Sequence, residues 1–181
     1  MALAKKEYEH ARELALALFD KAAIVLSEKE KCNLEIADFG LASIAEIGLE
    51  VVTYVNTERC CAKEMALFPW QICPEHLHPP VAGGPGKEET FRCRYGEVYL
   101  YVAGAPASSI KAKIPQNRGE WFTVFHEIIL QPGEQYTLAP NSLHWFQAGA
   151  SGAVVSEFST RSRDESDIFT DPHIRRIPEI I

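Results

Sequence analysis

No apolar run in the chain approaches the roughly 20 residues that a helix needs to span a bilayer. Positive charge is also scarce. With 18 Lys and Arg against 25 Asp and Glu, the net charge of −7 argues against a general nucleic-acid binder or an anionic-membrane binder. No repeat of fixed period, low-complexity run or linker composition divides the 181 residues, so the expectation is one domain with one substantial core. The first residues, MALAKKEYEHARELALALFDKA, lack the layout of a secretory signal. Cysteine is sparse and odd in number. Cys32, Cys60, Cys61, Cys73 and Cys93 leave at least one thiol without an internal partner, which points to a reducing, cytoplasmic setting. Their spacing makes no thiolate zinc motif, so the expected role for them is buried packing.

What the chain does contain is a globular composition, 46% hydrophobic and 24% charged, whose texture changes along its length. Tyr8, Ala11, Leu14, Ala15, Leu18 and Phe19 recur at spacings of three and four, predicting a helix over 5–21. A second short helix is expected within 35–47, ending at Gly48. Beyond it come VVTYVN, CAKEMALF, ETFRCRY, EVYLYVA, FTVFHEIIL, EQYTLA, HWFQAG and AVVSEFST, short β-branched or aromatic segments with RYGE, QPGE, APNS and GASG as turns between them. Many short strands with Gly and Pro turns predict a mostly β fold, a sandwich or small barrel with N-terminal helices. The tail TRSRDESDIFTDPHIRRIPEI alternates less and carries more charge, as expected of a segment lying over the surface or a neighbouring subunit.

The chemistry concentrates in CPEHLHPPVAGGPGKEETFRCRYG, residues 73–96. His76 and His78 are one residue apart, so in extended chain both rings leave the same side and face one ion. After a Pro/Gly loop, Glu89 shares a strand face with Phe91 and Cys93, and an acid looking into an apolar interior calls for a metal or a close cation. Glu88 is the expected rim carboxylate. His144, opening an aromatic strand, completes a His3Glu set if its strand folds back over the first. Such nitrogen and oxygen donors suit manganese, iron, cobalt, nickel or zinc.

These residues resemble the cupin motifs, G(X)5HXH(X)3-4E(X)6G and G(X)5PXG(X)2H(X)3N. His76 and His78 match the HXH, six residues separate Glu89 from Gly96 as in E(X)6G, and the second motif is recognisable in Gly133, Pro140 and His144. The chain departs from the pattern in three places: ten residues separate His78 from Glu89, the leading glycine is absent, and the proline sits one position nearer the last histidine. Those departures, with YVNTERCCAKE, CPEHLHP, GKEETFRCRYGEVYLYV, APNSLHWFQAG and EFSTRSRDESDIFTDP, are similar to the D-lyxose isomerase family over roughly residues 35–173.

The resemblance implies a single cupin β-barrel of jelly-roll type, with helices over about 1–48, the barrel over about 49–160 and a charged tail over about 161–181. It also implies a manganese-dependent homodimer that interconverts D-lyxose and D-xylulose, and often D-mannose and D-fructose, with His76, His78, Glu89 and His144 as metal ligands. Moving a proton between C2 and C1 needs a carboxylate that is not a ligand and a donor near the carbonyl oxygen. Glu157 in AVVSEFS is the expected base and Lys87 the expected acid. For sugar contacts the candidates are Lys63, with Glu64 facing away, and one of Asp164, Glu165 and Asp167, with Asp167 preferred. Phe91 and Trp145 are the candidate apolar walls. The competing expectations are an iron-dependent cupin dioxygenase, another sugar isomerase or epimerase, and a sugar-binding cupin without turnover.

Overall fold

The structure, a computed structural model, describes residues 3–176 and 180. Helix α1, Lys5–Lys21, forms where the periodicity predicts, and it buries Ala11, Ala15, Leu18 and Phe19 along one face. Burying a side chain the size of Leu18 or Phe19 contributes about 1.5–3 kcal/mol, so this face anchors the helix. Its partners are Ile36, Val52, Ala66 and Val154 on the outer surface of the sheet. A short helix α2, Glu28–Cys32, is capped by Ser27, whose hydroxyl accepts from Glu30 N while the Glu30 carboxylate accepts from Ser27 N.

The helix expected within 35–47 does not form. Glu35–Ala37 is instead strand β1, paired with β2, Leu49–Asn56. Beyond it Phe39 and Ala42 have positive φ, and the Asp38 carboxylate accepts from Gly40 N at 2.9 Å, so the chain turns tightly rather than coiling on.

The remaining strands are β3 (Cys61–Leu67), β4 (Ile72–Leu77), β5 (Glu89–Val102), β6 (His126–Leu130), β7 (Gln135–Leu138), β8 (His144–Ser159) and β9 (Ile168–Phe169), all paired antiparallel. RYGE and GASG, expected as turns, lie inside the long strands β5 and β8. These two strands run side by side and bend together. At the bend Gly96 and Gly152 both have φ of +74°, and a Cβ on Gly96 would lie 1.9 Å from the Gly152 carbonyl oxygen. Register shifts between Cys93 and Tyr95 and between Gly96 and Val98 absorb the change of direction, as bulges do in strongly coiled sheets.

One half of the bent ribbon, Glu89–Gly96 with Ala153–Ser159, continues into β7 on one side and into β3, β2 and β1 on the other. The other half, Val98–Val102 with His144–Ala148, continues into β6 and into β4 and β9. The two halves fold toward each other over one interior, filled by Met65, Leu67, Phe91, Leu100, Phe146 and Val155 among others. Among the described residues no pairing joins the outer strands, so the expected closed jelly-roll barrel is an open half-barrel, a single curled nine-stranded sheet. The edge strands β1 and β9, at three and two residues, are too short to extend the ladder to closure.

Segment 103–125 crosses the outer face of the second half, where Trp145, Tyr101 and Phe122 pack together. Of FTVFHEIIL only His126–Leu130 pairs as a strand, since 122–125 belongs to this crossing. Of the five thiols, Cys61, Cys73 and Cys93 are buried as expected, whereas Cys32 and Cys60 are exposed.

Candidate functional site

The end of β4 and the residue after it place His76 and His78 on the inner side with Leu77 between them, and the ladder sets His76 opposite His144 at the start of β8. All three rings are buried, and their candidate ligand atoms lie within 4.8 Å of one another. Each Nδ1 is already occupied. His76 Nδ1 donates to the Pro74 carbonyl at 2.8 Å, His144 Nδ1 to the Ser142 carbonyl at 3.0 Å, and His78 Nδ1 to Asp167 Oδ1 at 2.5 Å. A neutral imidazole that keeps its proton on Nδ1 and donates it in a hydrogen bond presents Nε2 as a lone pair, the form a metal requires.

Glu89, first residue of β5, completes the set. Its Oε1 lies 3.0 Å from His78 Nε2 and 3.2 Å from His144 Nε2. These contacts are close but lack hydrogen-bond geometry, and both Nε2 atoms are buried without a hydrogen-bond partner. Buried polar atoms left unpaired are costly, and donors aimed at one shared point fit a divalent cation.

The electrostatics agree. Burial pushes the His76 imidazole well below its ordinary value and lowers that of His144, keeping both neutral. Burial opposes a charge on His78 too, but the Glu89 carboxylate and the Asp167 hydrogen bond outweigh it and raise the group to about 9. Positive charge is therefore favoured between these two acids, as a bound cation would supply. Burial also opposes ionisation of Glu89, yet Lys87 and the two imidazoles hold its carboxyl well below the usual range.

Beside the ligands lies an ion triplet. The buried Lys87 Nζ is 2.8 Å from Glu89 Oε2 and 2.8 Å from Glu157 Oε1. Burial works against the ammonium, but Glu89 and Glu157 raise its pKa above the ordinary value, so it stays charged. Glu157 also accepts from Ser159 Oγ at 2.9 Å. Lys63, Glu157 and Phe91 form one rung across β3, β8 and β5, and all three line the same cavity.

That cavity, about 420 Å³ including its open mouth, is bounded by His76, His78, Lys87, Glu89 and Glu157 on the polar side. Phe39, Phe91, Phe146 and Phe169 wall the other sides. At the mouth Lys63 Nζ binds Asp164 at 2.7 Å and Ser162 Oγ at 2.9 Å, and Arg176 Nη2 approaches Asp164 at 3.6 Å.

The structure thus brings together His76, His78, Glu89, His144, Lys87, Glu157, Lys63, Phe91 and Asp167. Trp145 is the exception. It is fully buried on the opposite face of β8, stacked on Tyr101 at 4.0 Å, with Nε1 donating to the Val124 carbonyl. Strand alternation forces this: with His144 inward, Trp145 points out and Phe146 points in. Asp167 lines the cavity, but its Oδ1 is engaged in orienting His78. Glu64 faces away from the cavity, accepting from Ser156 Oγ, while Glu88 and Glu165 are exposed. The expectation from sequence also missed Arg176, whose only signal was a pair of arginines in a charged tail.

Comparison with known proteins places this geometry. The family model described as D-lyxose isomerase matches residues 116–181. The D-lyxose ketol-isomerase of Thermofilum sp. (strain ex4484_79) is 57% identical over 179 residues, 99% of each chain. The D-lyxose ketol-isomerase of Cohnella laeviribosi is 59% identical over 96% of each chain. The D-lyxose/D-mannose isomerase of Thermosediminibacter oceani is 57% identical over 98% of each. Among solved structures, the L-ribose isomerase of Acinetobacter sp. DL28 superposes with a TM-score of 0.81 at 16% identity, covering 99% of this chain and 98% of that one. That of Cellulomonas parahominis gives 0.79 at 16%, over 99% of each, and at such identity the likeness is one of fold. With three relatives above half identity along nearly their whole length, the chain belongs to the D-lyxose ketol-isomerase family.

Proposed function

We propose that the protein is a metal-dependent aldose-ketose isomerase that interconverts D-lyxose and D-xylulose, and D-mannose and D-fructose, by proton transfer through a cis-enediol. The observation that carries the reading is the Lys87 ammonium held between Glu89, which faces the imidazoles, and Glu157, which no candidate ligand touches. His76, His78, His144 and Glu89 would hold the ion, and when bound it supplies positive charge that stabilises oxyanion character on the sugar.

The protein's own groups account for the proton movements. Glu157 takes the proton from C2 of the aldose and returns it to C1, so one carboxylate serves both half-reactions without net change. Lys87, kept charged by two carboxylates, gives a proton to the carbonyl oxygen O1, and the neutral amine so formed takes the proton of the O2 hydroxyl, which leaves a ketone at C2 and a hydroxyl at C1 and restores the ammonium. The four phenylalanines exclude water from the enediol, and Lys63, with Asp164 and Asp167 near the mouth, offers polar partners to the remaining hydroxyls.

The test is anaerobic incubation of purified protein with a panel of pentoses and hexoses, before and after chelation and after manganese is restored. Ketose should form from D-lyxose and D-mannose only with metal present. Oxygen consumption by iron-loaded protein with no ketose formed would replace the isomerase with a dioxygenase, and sugar binding without turnover would leave a non-catalytic binder. Label from deuterated water in the product supports the enediol. The same reading carries manganese as the resident ion, a cytoplasmic location, a homodimer and the three-part division of the chain. Metal analysis, cell fractionation, light scattering and limited proteolysis test these in turn.

A further inference from the structure

We infer that Glu75, the residue before His76, is a positioning residue that holds the imidazole pair in place through the chain segment 167–170. Its side chain leaves β4 on the side away from the cavity and is 1% exposed. Four donors satisfy the carboxylate. Oε2 accepts from the backbone N–H of Thr123 at 2.6 Å and of Val124 at 3.0 Å, and Oε1 accepts from the hydroxyls of Thr123 at 2.8 Å and Thr170 at 2.7 Å. A fully occupied buried carboxylate is a strong local tie, because removing its charge leaves several donors facing one another.

What the tie holds gives it a consequence at the metal centre. Thr170 is bound twice, through its hydroxyl and through its N–H to the Glu75 carbonyl at 3.0 Å. The residue before it, Phe169, is the ladder partner of His76 and packs its ring 5.3 Å from that imidazole. Three residues before it, Asp167 accepts the hydrogen bond from His78 Nδ1. One carboxylate outside the cavity therefore fixes the short segment that packs on one ligand and orients the other, as outer hydrogen bonds tune metal affinity in general. The remaining donors, from Thr123 and Val124, fasten the outer crossing segment to the same point.

The inference rests on reading His76, His78, Glu89 and His144 as a metal centre, and the experiment separates the two. Metal-free protein is titrated with Mn2+ by calorimetry, for wild type, Glu75→Gln, Thr170→Val, Thr170→Ser and Tyr101→Phe. Tyr101→Phe loosens the crossing segment at the Ala112 N–H without touching Glu75. Glu75→Gln and Thr170→Val should raise the Kd for Mn2+ by about ten- to a hundredfold, the range for lost outer-shell partners. Thr170→Ser keeps the hydroxyl and should retain the wild-type Kd, and Tyr101→Phe should lower only the Tm. If Glu75→Gln fails to fold, the Thr170 pair decides. A wild-type Kd for Thr170→Val, or an equal loss in Tyr101→Phe, overturns the inference. Wild type that takes up no Mn2+ overturns the metal-centre reading itself, and the inference with it.

Discussion

Glu89 divides its two oxygens between two tasks, Oε1 toward the imidazoles and Oε2 onto Lys87. Single substitutions around it should therefore separate ligation from proton transfer. His144→Ala is expected to reduce both metal content and isomerisation, and full metal occupancy with wild-type rate would remove His144 from the ligand set. Glu157→Gln keeps the shape and loses the basic oxygen, so metal and sugar binding should persist while turnover falls about a hundredfold or more. Unchanged turnover at matched metal occupancy would sink its role as base. Lys87→Met strips the shared cation from two buried acids and should cost about 3–5 kcal/mol in denaturant unfolding as well as most turnover. At this scale the sequence was informative where backbone alternation decides side. The HXH spacing and the parity of Glu89, Phe91 and Cys93 placed those residues correctly, and the same parity counted from His144 would have put Trp145 outside. Asp167 as the partner of His78 was not legible, because 89 residues separate them and only the folded tail brings them together.

Among the elements, the bend in β5 and β8 is the feature that sequence punctuation disguised. Glycines at 96 and 152 looked like turns because glycine is what turns require, yet here both serve a close crossing of two continuing strands. Gly96→Ala should lower stability by about 1–3 kcal/mol from the positive φ alone, with the clash against Gly152 adding to it, measured as a fall in Cm at unchanged m-value. A wild-type Cm would show that the strands can part there at no cost. The false helix over 35–47 has a related cause, since apolar spacing in a run of turns mimics helical period until a strand partner claims Glu35–Ala37. On β2, Glu50 is fully buried with one oxygen near Gln71 Nε2 and the other unpartnered, and burial raises its carboxyl pKa well above the ordinary value. A raised folded-state pKa means the folded protein holds a proton that the unfolded chain releases. This contribution is complete below the ordinary carboxylate range and is lost as pH rises from there toward the folded value. Stability of Glu50→Gln relative to wild type should accordingly rise with pH across that interval, by at most about 1.4 kcal/mol per pH unit. A pH-independent difference would place the ionisation elsewhere.

For the molecule as a whole, metal and fold should be thermodynamically linked, because the four candidate ligands come from β4 and the residue after it, from β5 and from β8, and converge only in the folded chain. Excess Mn2+ at a hundred times its Kd should stabilise the protein by about 2.7 kcal/mol, read as a rise in Tm that chelation reverses and His144→Ala abolishes. A Tm indifferent to both metal and chelator would mean no ion binds the native state preferentially. The overall architecture was legible to the level of a mostly β chain with leading helices, since alternation and turn residues carry that information locally. Whether the sheet closes is a property of its edges, and the two- and three-residue edge strands are too short to be seen in alternation. The loop of residues 79–88 carries a last consequence. Its two ends are fastened, one by the β4 ladder at His76 and Leu77 and the other by Glu89 against Leu138 and Ser159, with Gly86 close beneath the His78 carbonyl. Its tip, a turn closed by Gly84 N–H on the Val81 carbonyl, faces open space, for a side chain added at Gly83 would meet nothing within 4 Å, although the positive φ there favours glycine. Insertions at the tip are therefore mechanically insulated from the ligands, which makes this loop a place where the chain can diversify, or be engineered to carry a tag, without disturbing the chemistry it borders.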